Sequence, residues 1–196
     1  MKSTILTGLG ALALLAFSCK KEAVQNPQQK ASQSAVNNTA HVAGHFVGEK
    51  FGGGVIFYLS ADKLHGLIAD SADLPATGWY NGTYTITGVT ATNIGSGKSN
   101  TRAIIIAQGK PGKYAALECA KSKRNGFTDW FLPSRDELHE LYIQQNLVGT
   151  FSFGFYWTSS EIHDSSVFSW GEYFYSGAQF GSSKNATGFV RAVRSF

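Results

Sequence analysis

The stretch GFTDWFLPSRDELHELY, residues 126–142, carries the strongest local signal in the chain. Ser134 stands where a helix N-cap would, and Glu137 follows three residues later. Together they form a capping box, in which the hydroxyl takes the amide of the third helical residue and the carboxylate reaches back to the cap's own amide. Pro133 precedes the cap, where its missing N–H costs no helical bond. Leu138, Leu141 and Tyr142 then share one face, so the helix that begins here packs one side on a core.

Upstream, TRAIIIAQ (101–108) reads as a helix capped by Asn100 and stopped by Gly109. Residues 114–123 read as a second helix, ended by Asn125-Gly126. Earlier still, GVIFYLS (54–60) and GLIAD (66–70) are short runs of β-formers joined by ADKLH, a hairpin pattern. The segment 71–97 holds Pro75, five glycines and many threonines, and reads as a long loop with short strands. Downstream, aromatics alternate with Gly, Ser and Thr, and strands are expected near 156–161, 167–174 and 189–193. With 22 glycines and 13% aromatic residues, these elements define an α+β class. No internal repeat of fixed period is present.

The first eighteen residues place Lys2 ahead of an apolar run from Ile5 to Phe17, the layout of a secretory signal over 1–18. The run is shorter than the roughly 20 residues a spanning helix needs. Ser18-Cys19 resembles the lipobox of bacterial lipoproteins, and the following Lys-Lys-Glu resembles those of the Bacteroidetes group. Phe17 is bulkier than the pattern's usual residue. The resemblance implies acyl chains on Cys19, each methylene contributing about 0.8 kcal/mol to membrane anchoring. Residues 19–43 are rich in Gln, Asn, Ser and Ala and read as a solvated tether. The body, 44–196, would then sit lipid-anchored at the cell envelope.

Roughly 150 residues are enough for one domain with a core. The formal charge of +4 falls to +3 without Lys2, and the basic residues are scattered, which excludes a nucleic-acid footprint. Cys19 and Cys119 are the only cysteines, so an acylated Cys19 leaves Cys119 unpaired and the domain without a disulfide staple. Cys119 lies in a helical run and reads as a small buried hydrophobe.

The ordered series SNTRAII, the helix ending Cys119-Ala120, GFTDWFLPSRDELHELY, YWTSSE, a Trp-containing aromatic strand and FVRAVRSF resembles the Lcl C-terminal domain-like family, or domain of unknown function 1566. The opening hairpin fits as well, so the likeness spans about 47–196. It implies a C-type-lectin-like fold, with two or three helices packed on twisted antiparallel sheets. It further implies paired terminal strands, near 55–59 and 189–193. Family members are often exported modules of adhesion or recognition.

Specific chemistries find little support. Calcium needs six to eight oxygens, and Asp129, Asp136, Glu161 and Asp164 are dispersed along the chain. The Glu-Pro-Asn, Gln-Pro-Asp and Trp-Asn-Asp motifs of calcium-dependent lectins do not occur. Formylglycine-generating enzymes share a related fold but use a cysteine pair with copper, and one non-anchor cysteine cannot supply it. His139, beside Glu137 and Glu140, reads as the polar face of a helix, and no paired-His spacing supports zinc. Gly97-Lys98-Ser99 lacks the earlier P-loop glycine, since Thr92 occupies its place. The expectation is therefore no catalytic residues, no metal and no cofactor.

Trp130 and Trp157 are expected in the core, as Trp is highly buried on average. Arg191 and Arg194 recur in the family's closing strand and read as fold support, with Glu137 as a carboxylate partner for one of them. The candidate ligand residues are Trp170, Glu172, Tyr173, Tyr175, Gln179 and Asn185, where aromatics stand among small polar neighbours suited to stacking on a sugar or to protein contact. The leading expectation is a display module that binds a glycan or protein. The alternatives are an assembly subunit of an envelope complex and, third, an enzyme.

Overall fold

A computed structural model describes residues 44–196. The signal 1–18, the anchor Cys19 and the tether 19–43 lie outside the described residues. In chain order the elements are β1 (Lys50–Phe51), β2 (Gly54–Leu59), β3 (Gly66–Ala69), β4 (Leu74–Thr77), α1 (Gly97–Gln108), α2 (Ala115–Lys121), a 3₁₀ turn (Arg124–Gly126), α3 (Arg135–Ile143), α4 (Gln145–Val148), β5 (Phe155–Glu161), β6 (Phe168–Tyr173), β7 (Ala178–Ser183), β8 (Gly188–Val190) and β9 (Val193–Ser195). They form an α+β domain with a four-stranded sheet, β1-β2-β3-β9, and a five-stranded sheet, β4-β8-β5-β6-β7. The pairings are antiparallel except for a parallel contact of β5 with β8 at Tyr156 and Phe189.

Strand alternation builds two cores. Ile56 and Trp157 enter one with Ile104, Leu117 and Trp130, while Val55, Phe57 and Tyr156 enter the other with Leu138, Leu141 and Phe174. Strand β2 thus carries apolar residues on both faces along its length, and β5 does so over Phe155–Trp157 before turning polar at Thr158–Glu161. Helix α3 starts at the expected cap: Glu137 N donates to Ser134 Oγ at 3.3 Å, and Ser134 N donates to Glu137 Oε2 at 2.8 Å.

Four expectations are corrected. Asn100 does not cap α1; the helix begins at Gly97, and buried Asn100 donates from Nδ2 to Ala91 O at 2.8 Å, tying the preceding loop down. The span 189–193 is not one strand. It breaks at Arg191–Ala192 because β8 belongs to one sheet and β9 to the other. The C-terminal strand pairs with β3, at Leu67↔Ser195 through Ala69↔Val193, and not with β2, whose other edge is taken by β1. Finally, the expected strands leave out AQFGSS, which forms β7, a sheet edge held by six register pairs to β6.

Candidate functional site

The β6–β7 hairpin carries most of the candidate ligand residues, and strand alternation divides them. Trp170 and Glu172 leave β6 on the side of α3, where Glu172 meets Gln179, its register partner on β7. Tyr173 leaves on the opposite side with Phe180. Tyr175 follows β6 in the turn, and Asn185 lies exposed beyond the end of β7. Five of the six residues therefore divide between two surfaces, and Asn185 lies outside the hairpin's strands.

On the first surface, rings form a graded row from core to solvent. Buried Trp157 meets Phe155 edge-on at 4.6 Å; Phe155 lies 5.0 Å from Phe180, Phe180 stacks on Tyr173 at 4.7 Å, and Tyr173 sits 5.0 Å from Tyr175. Tyr175 at the end of the row is 61% exposed. The row depends on Gly171, because the Phe155 ring crosses the space that any Cβ there would fill. Phe155 was not among the candidates. A glycine inside an aromatic strand was the signal for a close approach of this kind. Phe174 points the other way, into the core.

The second surface is polar. The fully buried Glu172 carboxyl has His139 Nδ1 at 2.9 Å from Oε1, and Gln179 Nε2 donates to Oε2 at 3.2 Å. Gln179 also donates to Arg135 O at 3.2 Å, and the Arg135 guanidinium lies 5.1 Å from the centre of the half-buried Trp170 ring. His139, read from sequence as part of a solvent-facing surface, instead links α3 to β6 while one side of its ring stays exposed. Burial pushes the Glu172 carboxyl above the usual carboxylate range, and the bonds from His139 and Gln179 offset that in part. A group whose folded pKa is raised contributes stability at acid pH and loses it as pH rises through that raised value. Glu172→Gln, which cannot titrate, should therefore show its largest melting-temperature deficit on the acid side. The gap should narrow as pH rises from the ordinary carboxylate range upward, in melts taken at a series of pH values. A gap that widens with pH would mean that the folded protein favours the ionised form.

Around these surfaces, charges are paired. Arg191 donates from Nε to Asp73 Oδ1 at 2.7 Å, from Nη1 to Asp70 O at 2.9 Å and from Nη2 to Thr150 O at 2.7 Å, with its guanidinium over Phe151. Arg194 grips Asp129 with two bonds of 2.8 and 2.9 Å. Neither arginine meets Glu137. That carboxylate instead receives the amides of Gly95, Gly97 and Ser134, because the helix start buries it against the N-terminal turn of α1. Trp130 and Trp157 are both buried, with their indole N–H groups bonded to the Arg124 and Thr77 carbonyls. Three of the acids considered for calcium each sit beside a cation, Asp129 with Arg194, Glu161 with Lys184 and Asp136 with Arg135, and Asp164 sits beside the His163 ring. Among the described residues no group of three or more His, Cys, Asp or Glu could hold a metal ion. Cys119 is buried, and burial pushes its thiol pKa well up, against the reactive thiolate.

Sequence reasoning missed the buried pair Lys184–Glu161. Lys184 sits in GSSKN, a string with every mark of an exposed loop, and local sequence carries no sign of its burial.

The two sheets, the capped helix and the closing strands define a mixed α+β domain whose C-terminal hairpin presents one aromatic and one polar surface. The model of the Lcl C-terminal domain family matches residues 62–194, well over half of the sequence, and the chain belongs to that family. No curated protein matches it.

Proposed function

We propose that this protein is an exported, lipid-anchored binding module that recognises a glycan at the cell envelope. The observation that supports this most directly is the row Phe155–Phe180–Tyr173–Tyr175, which runs out of the core and ends in an exposed phenol. Stacked rings offer flat apolar faces to the C–H side of a sugar, and Tyr adds a hydroxyl at little cost in entropy. The row is braced from beneath by Trp157, so it is preorganised rather than assembled on binding. Stacking of this kind needs no bridging ion. The signal and the lipobox-like Ser18-Cys19 support the placement at the envelope, with the tether spanning the gap to the domain.

A glycan array probed with the mature protein tests the reading. Tyr175→Ala and Tyr173→Ala should each weaken the recognised glycan about tenfold or more, in line with aromatic anchors at binding surfaces. Tyr175→Ala should leave the melting temperature nearly unchanged, since its ring is mostly in solvent. Array signals indifferent to both substitutions would remove the row from recognition. Mass spectrometry of the membrane fraction tests the anchor, which predicts an acylated Cys19.

A second reading, an assembly subunit, is favoured by apolar side chains away from the hairpin. Ile143 at the end of α3 and Leu147 in α4 are both exposed, and Phe153 is 90% exposed. Leu147→Glu should leave glycan binding intact if the hairpin is the ligand surface, and should break a complex if assembly is the role.

A further inference from the structure

We infer that the groove between α1 and residues 128–131 is a second ligand site, shaped for a single-chain amphipathic carboxylate. Its volume is about 660 Å³, within the range of small-molecule pockets. Lys98, Arg102, Ile105 and Ile106 line it at the spacing of one helix face, and Trp130 and Asp129 form the facing wall. The floor is apolar, while the rim carries charge of one sign only in effect. The wall's acid, Asp129, is held by both nitrogens of the Arg194 fork. Lys98 and Arg102 are exposed and make no ion pair among the described residues.

The Lys98 charge also reaches Asp129, which Arg194 already holds, so two cations without a salt bridge of their own stand beside an apolar trough and select a ligand that is anionic at one end and greasy along its length. The trough continues past the cations to Ile106, which is 74% exposed and lacks protein cover. Ile106 lies eight helical steps on from Lys98, a span of about 12 Å at 1.5 Å per residue. An extended acyl tail of medium length covers that distance, its carboxylate between Lys98 and Arg102 and its methylenes over Ile105, Ile106 and the edge of Trp130. A neutral lipid would leave the cations unanswered, and a cation of the same length would be repelled by them. This site shares no residue with the aromatic row, so it stands whether or not that row binds glycan.

Calorimetric titration of the mature protein with decanoate, below the concentration at which it forms micelles, tests the inference. The expected result is saturable one-to-one binding, with decyltrimethylammonium and butyrate each weaker by about tenfold or more, because one carries the opposite charge and the other lacks the tail. Lys98→Glu/Arg102→Glu should weaken decanoate by a similar factor, and Ile106→Asp should do so with both cations in place. All three positions are exposed, so circular dichroism and melting should match the parent protein. Absence of saturable binding overturns the inference, as does equal binding of the decyl cation or decanoate affinity untouched by the double variant. Displacement of decanoate by nothing but an acidic peptide of higher affinity would assign the groove to a protein partner and likewise overturn it.

Discussion

Lys184→Ala should cost the domain about 3–5 kcal/mol, the penalty typical of leaving one member of a buried ion pair alone. Lys184 and Glu161 are both inaccessible to solvent and in direct contact. The ammonium also donates to Thr85 O at 2.8 Å and Ser165 O at 3.1 Å, and lies over the Trp79 ring at 4.9 Å. On the other side, Glu161 accepts from Thr87 N and Gly88 N, each at 2.8–3.0 Å. Removing the ammonium strands an ionised carboxylate together with two backbone carbonyls. The protein must then rearrange around Glu161 or let water in. Because Glu161 ends β5, Lys184 follows β7 and Thr85–Gly88 belong to the long segment after β4, the pair is the pin that holds this segment on the sheet. Lys184→Met/Glu161→Gln removes both charges together and should cost less than the sum of the two single changes, since neither group is left uncompensated. Denaturant midpoints for the four proteins give the coupling directly. Additive single effects, or a loss below about 1 kcal/mol for Lys184→Ala, would show that the pair is effectively hydrated and does not pin the segment.

Helix α3 was legible because its signal is local: a serine, a glutamate three residues on and an apolar stripe are all read within one turn or two. The β2–β3 hairpin was legible for the same reason. What failed was long-range. Asn100 looks like a cap by residue type, yet its partner, the Ala91 carbonyl, lies in the loop ahead of the helix, and the true start is set by Glu137 from another helix. AQFGSS lacks a strand's composition and is a strand because β6 supplies its ladder. The break between β8 and β9 depends on Arg191 crossing between sheets, which no window of sequence contains. For the hairpin, composition found the aromatic region but not its division into two surfaces. A one-residue change of register would exchange every side chain between them, and register is fixed by pairing rather than by composition.

Glu137→Ala should be the most damaging single change within α3, at about 3–5 kcal/mol, because the buried amides of Gly97 and Ser134 lose their acceptor together with the part-buried amide of Gly95. The carboxylate closes two helix starts at once. Oε2 receives Ser134 N at 2.8 Å, the reciprocal half of the α3 capping box, and Oε1 receives Gly95 N at 2.8 Å and Gly97 N at 3.3 Å at the start of α1. Ser96, at the α1 cap position, makes no side-chain cap bond of its own. Glu137 therefore serves as the acceptor that α1 lacks, in the place where the positive end of a helix dipole favours an acid. Burial nonetheless pushes its carboxyl above the usual range, so the desolvation of the charge outweighs these bonds in setting its protonation. The close fit explains Gly97: a Cβ there would run into the Glu137 carboxylate and approach Ser134 N and Leu132 O at 2.9 and 3.0 Å, so Gly97→Ala should be destabilising although the residue begins a helix. Glu137→Gln keeps one acceptor oxygen but turns an NH₂ toward an amide N–H, and should fall between the parent and Glu137→Ala. Ser134→Ala removes one side of the box and should cost only about 1 kcal/mol, the ordinary value for a lost cap. The order expected from denaturant unfolding is Ser134→Ala mildest, Glu137→Gln intermediate and Glu137→Ala most severe. If Ser134→Ala and Glu137→Ala cost the same, Glu137 acts on α3 alone, and the start of α1 must be held by something else.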